Sequence, residues 1–295
     1  MPRPIIGIGH SMGGCMLTNL ALIQPRLLSG LILIDPVIAA TQGRSNWSPA
    51  RASSGRRDLW PSRDAAASAF AKSKFYQTWD KRVLDLWTEH GLRDLPTALY
   101  PSAEGEDKQV TLRTSKHQEV HSFARPTYRA ASDRDGPNRP PTRSTHPDLP
   151  IAVAPSRALP FYRPEPASVF ARLPNLHPGT LYVFGAHSDL STTVDRAEKL
   201  ALTGTGVGGS GGAREGRVKE VVLDAGHLVP MERVGETASA AAEWIASELN
   251  RFEDEKRDVR QELENVPLDQ RARMSPRFVE LISGRKGSQA GKPKI

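Results

Sequence analysis

The sequence predicts an α/β fold built on a parallel sheet of about four strands, and three observations predict it. Short apolar runs recur at residues 5–8, 31–34, 181–184 and 218–223, the mark of strands buried against the layers of a sheet. Helical patterns follow at 17–23, 193–202 and 235–250. Strand, helix and strand fit into the first 34 residues, which implies a right-handed parallel crossover.

The elements justify themselves in order. Ile5, Ile6 and Ile8 supply the first strand. Leu17, Leu20, Leu22 and Ile23 then recur at helical spacing until Gln24-Pro25 stops the helix. Between strand and helix stands Gly9-His10-Ser11-Met12-Gly13, a Gly-x-Ser-x-Gly in the setting that a strained nucleophile turn requires. Glycines flank the serine because a side chain there is expected to collide across so sharp a turn. The backbone N–H of Met12, at the helix N-terminus, is the candidate oxyanion donor. The second strand ends in Asp35-Pro36.

Residues 41–175 break the pattern. They are rich in Arg, Ser and Pro and read as an insertion over the sheet. Short helices are expected near 64–76, from an Asp80 N-cap to Gly91, and after a capping box at Ser115-Lys116-His117-Gln118. The stretch SDRDGPNRPPTRSTHPDLP, 132–150, has too little apolar content to fold alone. Trp79, Trp87 and Phe161 are candidates for an apolar pocket wall.

The sheet pattern resumes at 181–184 and runs into Gly185-Ala186-His187-Ser188-Asp189. The glycines of GTGVGG, 204–209, match a dinucleotide fingerprint, but a helix precedes them and a strand follows, the reverse of what that site needs. They read as a flexible connection. The last strand ends at Asp224-Ala225-Gly226-His227, and an amphipathic helix and a charged, basic tail complete the chain. The expected divisions are 1–40 and 176–250 for the core, 41–175 for the insertion and 251–295 for the tail.

Composition excludes several classes. The net charge is +7, but residues 268–295 carry seven Lys/Arg and two Asp/Glu, so most of it belongs to the tail. This argues against a folded nucleic-acid surface. No run of eighteen apolar residues suggests a transmembrane helix, and the first residues lack signal-peptide order. Cys15, the single cysteine, reads as core. No Cys/His cluster has zinc spacing, and no cofactor is expected.

Ser11, Asp189 and His227 all fall at the C-terminal ends of parallel strands, where ligand sites of such sheets lie. A serine hydroxyl needs a base to take its proton, and an imidazole needs a carboxylate to fix its tautomer. His227 is the expected base and Asp189 the favoured acid. Asp35 is the rival acid, since it too ends a strand, although Asp before Pro commonly just starts a turn. His10 is expected to line the pocket.

GHSMGG, LILIDPVI, YVFGAHSDLS and GHLVPME together resemble the fungal α/β-hydrolases related to the yeast peroxisomal lipase and to host-selective toxin biosynthesis proteins. RRDLWPSRDAAASAF, FYQTWDKRVLDLW and GLRDLPTALYP resemble the lid of that group. The resemblance implies the C-terminal half of the hydrolase fold with a helical lid, Ser11 as nucleophile, Asp189 as acid and His227 as base. It implies an ester or thioester substrate. It also implies that four strands ordinarily precede Ile5–Ile8, together with a loop carrying a second oxyanion donor. A truncated form is therefore expected, with the first strand at a sheet edge, and a non-catalytic remnant is the alternative function. Pro293-Lys294-Ile295 resembles a relaxed peroxisomal address read by an import receptor, so peroxisome or cytoplasm is the expected location.

Overall fold

A computed structural model describes residues 3–40, 48–101, 109–123, 125–126, 143–144 and 161–284. The chain divides into two compact units, Met1–Ala246 and Ser247–Ile295.

The first unit opens with β1 (Ile6–His10), α1 (Met12–Ile23) and β2 (Gly30–Ile34). Next come α2 (Ser48–Gly55), β3 (Leu59–Trp60), α3 (Arg63–Lys72), α4 (Lys81–His90), β4 (Leu92–Asp94), β5 (Val110–Leu112), α5 (Lys116–Phe123) and the two-residue strands β6 (Arg125–Pro126) and β7 (Phe161–Tyr162). The core resumes with α6 (Glu165–Arg172), β8 (Gly179–Gly185), α7 (Thr193–Leu202), β9 (Val218–Leu223) and α8 (Val229–Glu232). Helix α9 (Val234–Glu264) begins in this unit.

The main sheet has the order β1-β2-β8-β9, and every pairing is parallel. All five residues of β2 and all seven of β8 are buried, which is why both read as unbroken apolar runs. One face packs Cys15, Ala21, Leu31, Leu33, Tyr182 and Phe184 together. The other packs Ile32, Ile34, Leu181, Val183, Val229 and Trp244. The ladder continues one residue past each strand. Ser11 N–H donates to Ile34 O at 2.9 Å, and Asp35 N–H donates to Val183 O at 2.8 Å. Those two residues are thereby set side by side at the C-terminal edge of the sheet.

Among the described residues β1 lies at the edge of the sheet, with Ile8 52% exposed on it and Met16, Leu20 and Ile23 exposed on α1. Such an edge presents open N–H and C=O groups.

The segment between β2 and α6 holds its own small core. Trp60, Ala66, Phe70, Leu92, Val110 and Leu112 are buried together over an antiparallel sheet of order β3-β5-β4. Short helices were expected in this insertion, and they are joined by strands of two or three residues, which carry no periodicity to reveal them. The capping expectations match the structure. Asp80 accepts from Arg82 N–H at 2.9 Å, and Ser115 Oγ accepts from Gln118 N–H while Gln118 Oε1 accepts from Ser115 N–H. The expected 132–150 loop lies outside the described residues, apart from 143–144.

The glycine-rich connection differs from expectation. It is not a loose tether but a packed turn. Gly204 N–H donates to Leu173 O at 2.9 Å, Gly206 N–H to Pro174 O at 2.7 Å and Ser210 N–H to Leu176 O at 3.0 Å. A Cβ on Gly209 would stand 2.4 Å from both Gly204 O and Pro174 O. Glycine serves close backbone approach here rather than flexibility.

In the second unit the continuation of α9 is followed by α10 (Leu268–Arg271) and α11 (Pro276–Ser283). The helix was expected to end near Asn250. It continues because no breaker intervenes and because i,i+3 pairs Lys256–Glu253 and Arg257–Asp254 line its exposed side.

Candidate active site

The site is built at the turn between β1 and α1. Ser11 has φ 57° and ψ −123°, a strained conformation for a residue with a side chain. A Cβ on Gly9 would lie 2.7 Å from the carbonyl carbon and oxygen of Gly13, so only glycine fits there. Gly13 is different, because a Cβ on it meets nothing within 4 Å. The second crowded position is instead Gly14, where a Cβ would stand 2.9 Å from Pro36 Cβ. Ser11 O also accepts from Val37 N–H at 3.1 Å, which ties the turn to the loop after β2. Met12 is the first residue of α1, so its N–H points away from any intrahelical acceptor.

His227 comes from the loop between β9 and α8. Its Nε2 lies 2.8 Å from Ser11 Oγ, and its Nδ1 lies 2.6 Å from Asp35 Oδ2. A carboxylate only accepts, so Nδ1 carries the proton, and Nε2 is left to accept from the serine hydroxyl. Serine, imidazole and carboxylate form one hydrogen-bonded line.

The carboxylate in this line is Asp35, not Asp189. Asp35 is wholly buried with φ 40°, a turn that carries its side chain under the imidazole. Asp189 lies in the exposed turn after β8, and no hydrogen bond joins it to His227. The neighbour, Ser188, points inward instead and donates to Asp35 Oδ2 at 2.5 Å. Burial alone would push the Asp35 carboxyl up. The interactions with His227 and with the Ser188 and Ser191 hydroxyls outweigh it and hold the group below the usual carboxylate value.

His10 braces the base. Its Nε2–H donates to His227 O at 2.8 Å, and the two rings sit 4.9 Å apart. Burial lowers the His10 pKa, which favours the neutral ring that this bond uses. The ring expected to line a pocket is thus committed to the backbone that carries the base.

Trp79 and Trp87 belong to an aromatic cluster with Phe70, Phe75 and Tyr76, their own rings 6.1 Å apart. Next to Trp79, Asp80 N–H donates to Met231 O at 2.8 Å, tying the cluster to the segment just beyond His227. The assignment of the Phe161 side chain and of Pro293-Lys294-Ile295 lies outside the described residues.

Cys15 is buried on α1, and burial pushes its thiol up to about 12, so it stays protonated and packs as core. Lys199 escaped the sequence reading. It is fully buried on α7, its ammonium makes no hydrogen bond with any described residue, and it sits 5.7 Å over the Phe184 ring. Its place within a turn of Leu200 and Leu202, which pack against the core, was the available signal. Among the described residues no helix is long and apolar enough to cross a membrane, and no group of three His, Cys, Asp or Glu is arranged to hold a metal.

The parallel sheet, the serine turn after an apolar strand and the histidine after the last strand define the class as α/β hydrolase. Residues 1–241 match the alpha/beta hydrolase family, and the chain belongs to it. It is 38% identical over 276 residues to the type I acyl-CoA thioesterase mpaH of Penicillium roqueforti (strain FM164), which covers 88% of this chain and 62% of that protein. It is 30% identical over 249 residues to the abhydrolase domain-containing protein AFT2-1 of Alternaria alternata, covering 83% and 84%. Among solved structures it resembles E-2-(acetamidomethylene)succinate hydrolase, with TM-score 0.50 and 16% identity over 82% of this chain and 66% of that one. It also resembles the peroxisomal α/β-hydrolase Lpx1 of Saccharomyces cerevisiae, with TM-score 0.45 and 13% identity over 95% and 60%. The chain thus spans less than two thirds of the length of the Penicillium relative.

Proposed function

We propose that the protein hydrolyses a carboxylic thioester or ester through a triad of Ser11, His227 and Asp35. The observation that carries this reading is the unbroken hydrogen-bonded line from Ser11 Oγ through His227 to Asp35, at 2.8 and 2.6 Å. In the reaction Ser11 Oγ attacks the acyl carbon while His227 Nε2 takes its proton. Asp35 keeps the imidazole in the tautomer that can do so and stabilises the cation. The oxyanion forms against the Met12 N–H at the positive end of α1. The imidazolium then protonates the leaving thiol or alcohol. Water, activated by the same base, releases the acid from the acyl-enzyme.

The thioester preference is supported by the name of the Penicillium relative, an acyl-CoA thioesterase. The 41–175 segment acts as the lid. Its aromatic cluster at Trp79 and Trp87 gives the acyl chain an apolar wall, a reading supported by the Asp80–Met231 hydrogen bond beside the histidine loop. The C-terminal Pro293-Lys294-Ile295 serves as the peroxisomal address, supported by its small-basic-aliphatic order. A fluorescent fusion of the last twelve residues that stays cytosolic overturns that point.

The test is thiol release from a series of acyl-CoA esters, with p-nitrophenyl esters in parallel. The expected result is turnover that disappears in Ser11→Ala. Equal rates in the two proteins would refute the reading.

A further inference from the structure

We propose that Ser188 is a positioning residue that orients and polarises Asp35, so that the loop after β8 acts through a hydroxyl rather than through its own carboxylate. The inference rests on the triad reading above.

Four observations build it. Ser188 Oγ lies 2.5 Å from Asp35 Oδ2, the same oxygen that receives His227 Nδ1–H at 2.6 Å. Both partners are buried. Leu190 N–H donates to Ser188 Oγ at 3.2 Å, which occupies the hydroxyl as acceptor and leaves its own proton for Asp35. Ser188 N–H is held in turn by Gly185 O at 3.3 Å, so the hydroxyl is aimed by backbone and not by rotamer choice alone. The chain of donors therefore runs Leu190 N–H to Ser188 Oγ–H to Asp35 Oδ2, which His227 meets from the other side.

The physical consequence has two parts. The first is orientation. Asp35 sits at positive φ, His227 and Ser188 both bond its Oδ2, and the buried Ser191 hydroxyl also acts on the carboxylate, so Ser188 is one of the few groups that orient it. The second is charge. Ser188 donates into the oxygen that His227 must use, and so draws electron density away from the His227 bond. Removing it leaves Asp35 a stronger acceptor for the imidazole. The charged and titratable groups around this pair are His10, packed on the His227 ring, and Lys199 on α7, whose charge acts on Asp35. Neither replaces the hydroxyl, since His10 is bonded to His227 O and the Lys199 ammonium bonds nothing among the described residues.

The experiment uses the full chain, labelled at Ser11 by an alkyl fluorophosphonate. Ser11 Oγ forms the bond to phosphorus, fluoride leaves with the electron pair, and the serine proton passes to His227. The second-order labelling rate is measured from pH 4 to 9, and the low-field proton resonance of His227 Nδ1–H is recorded by NMR. Ser188→Ala is expected to lower the rate roughly tenfold, the size of one hydrogen bond to a charged group. It is also expected to move the low-pH limb to higher pH and to shift the Nδ1–H resonance. Ser188→Thr, which keeps the hydroxyl, restores all three. Ser188→Cys, which fills the same space with a weaker donor, falls between and serves if the alanine variant does not fold. An Ser188→Ala or Ser188→Cys protein that keeps the wild-type limb and resonance overturns the inference, whatever its rate. Failure of the triad reading looks different: Asp35→Asn then labels like the wild type and leaves the resonance in place.

Discussion

Replacing Asp35 with Asn separates the two carboxylates that the sequence offered. The change is isosteric, so its effect follows from hydrogen bonding alone. Asp35 Oδ2 receives two donors, His227 Nδ1–H and Ser188 Oγ–H. An asparagine has two orientations here. With its oxygen at Oδ2, the neutral amide still accepts from His227, but the imidazolium loses its counter-charge. With the NH2 at Oδ2, it faces His227 Nδ1 and forces the proton to Nε2, where it blocks acceptance from Ser11. Loss of the triad carboxylate by this route costs about 10³–10⁴ in rate, or about 4–5 kcal/mol of transition-state stabilisation. The assay is kcat/KM on p-nitrophenyl butyrate together with the fluorophosphonate labelling rate. Thermal unfolding below pH 4 gives an independent check. A carboxylate held below its unfolded value contributes stability that is present above the unfolded pKa and is lost as pH falls through the folded one. Asp35→Asn therefore flattens the acid side of the stability curve. Asp189→Asn, an exposed change, stays within about twofold of wild type, the range of surface substitutions. An Asp35→Asn protein that keeps more than a tenth of the activity, or an Asp189→Asn protein that loses as much as Asp35→Asn, refutes the reasoning.

Three other outcomes follow from packing. Gly9→Ala forces a Cβ into the Gly13 carbonyl and destabilises by about 1–3 kcal/mol or more, whereas Gly13→Ala enters open space in a helix and stabilises by up to about 1 kcal/mol; urea titration of the pair reads both, and equal effects contradict the geometry. Lys199→Met replaces a buried cation, its pKa lowered by burial, with an apolar side chain of similar length, so melting temperature at pH 7 is unchanged or higher. Because the folded lysine loses its proton at a lower pH than the unfolded one, the gain fades as pH rises above that lowered folded value and is gone above the unfolded lysine value near 10.4, and a loss of stability at pH 7 counts against this. Ile8→Lys puts a charge at a half-exposed position of β1 and changes the melting temperature little, since β1–β2 pairing does not involve the side chain; a large loss of stability contradicts that exposure.

The sequence exposes those features whose cause is local. β2 and β8 are legible because strands buried on both faces must be apolar throughout. The serine turn is legible because glycine, strand and helix must meet there, although the crowding at Gly14 rather than Gly13 depends on Pro36, a contact across the sheet. Helices with side-chain caps, such as those at Asp80 and Ser115, announce themselves by the capping residue. The acid is not local. Asp35 and Asp189 both follow strands, and only the positive φ at Asp35 and the inward Ser188 decide which carboxylate meets the imidazole. Asp before Pro36 reads as a turn, and it is one, but the turn is what delivers the side chain. The glycines of 204–212 show the same limit, since composition cannot distinguish freedom from close packing against Leu173 and Pro174.

The most direct test of the central claim is to map where a fluorophosphonate attaches. The chain is labelled, digested and sequenced by mass spectrometry, with Ser11→Ala and His227→Ala alongside. One adduct is expected, on Ser11 in the tryptic peptide that ends at Arg26, absent in Ser11→Ala and slowed by orders of magnitude in His227→Ala. Modification at another residue, or an unlabelled Ser11 in a folded wild-type protein, contradicts it.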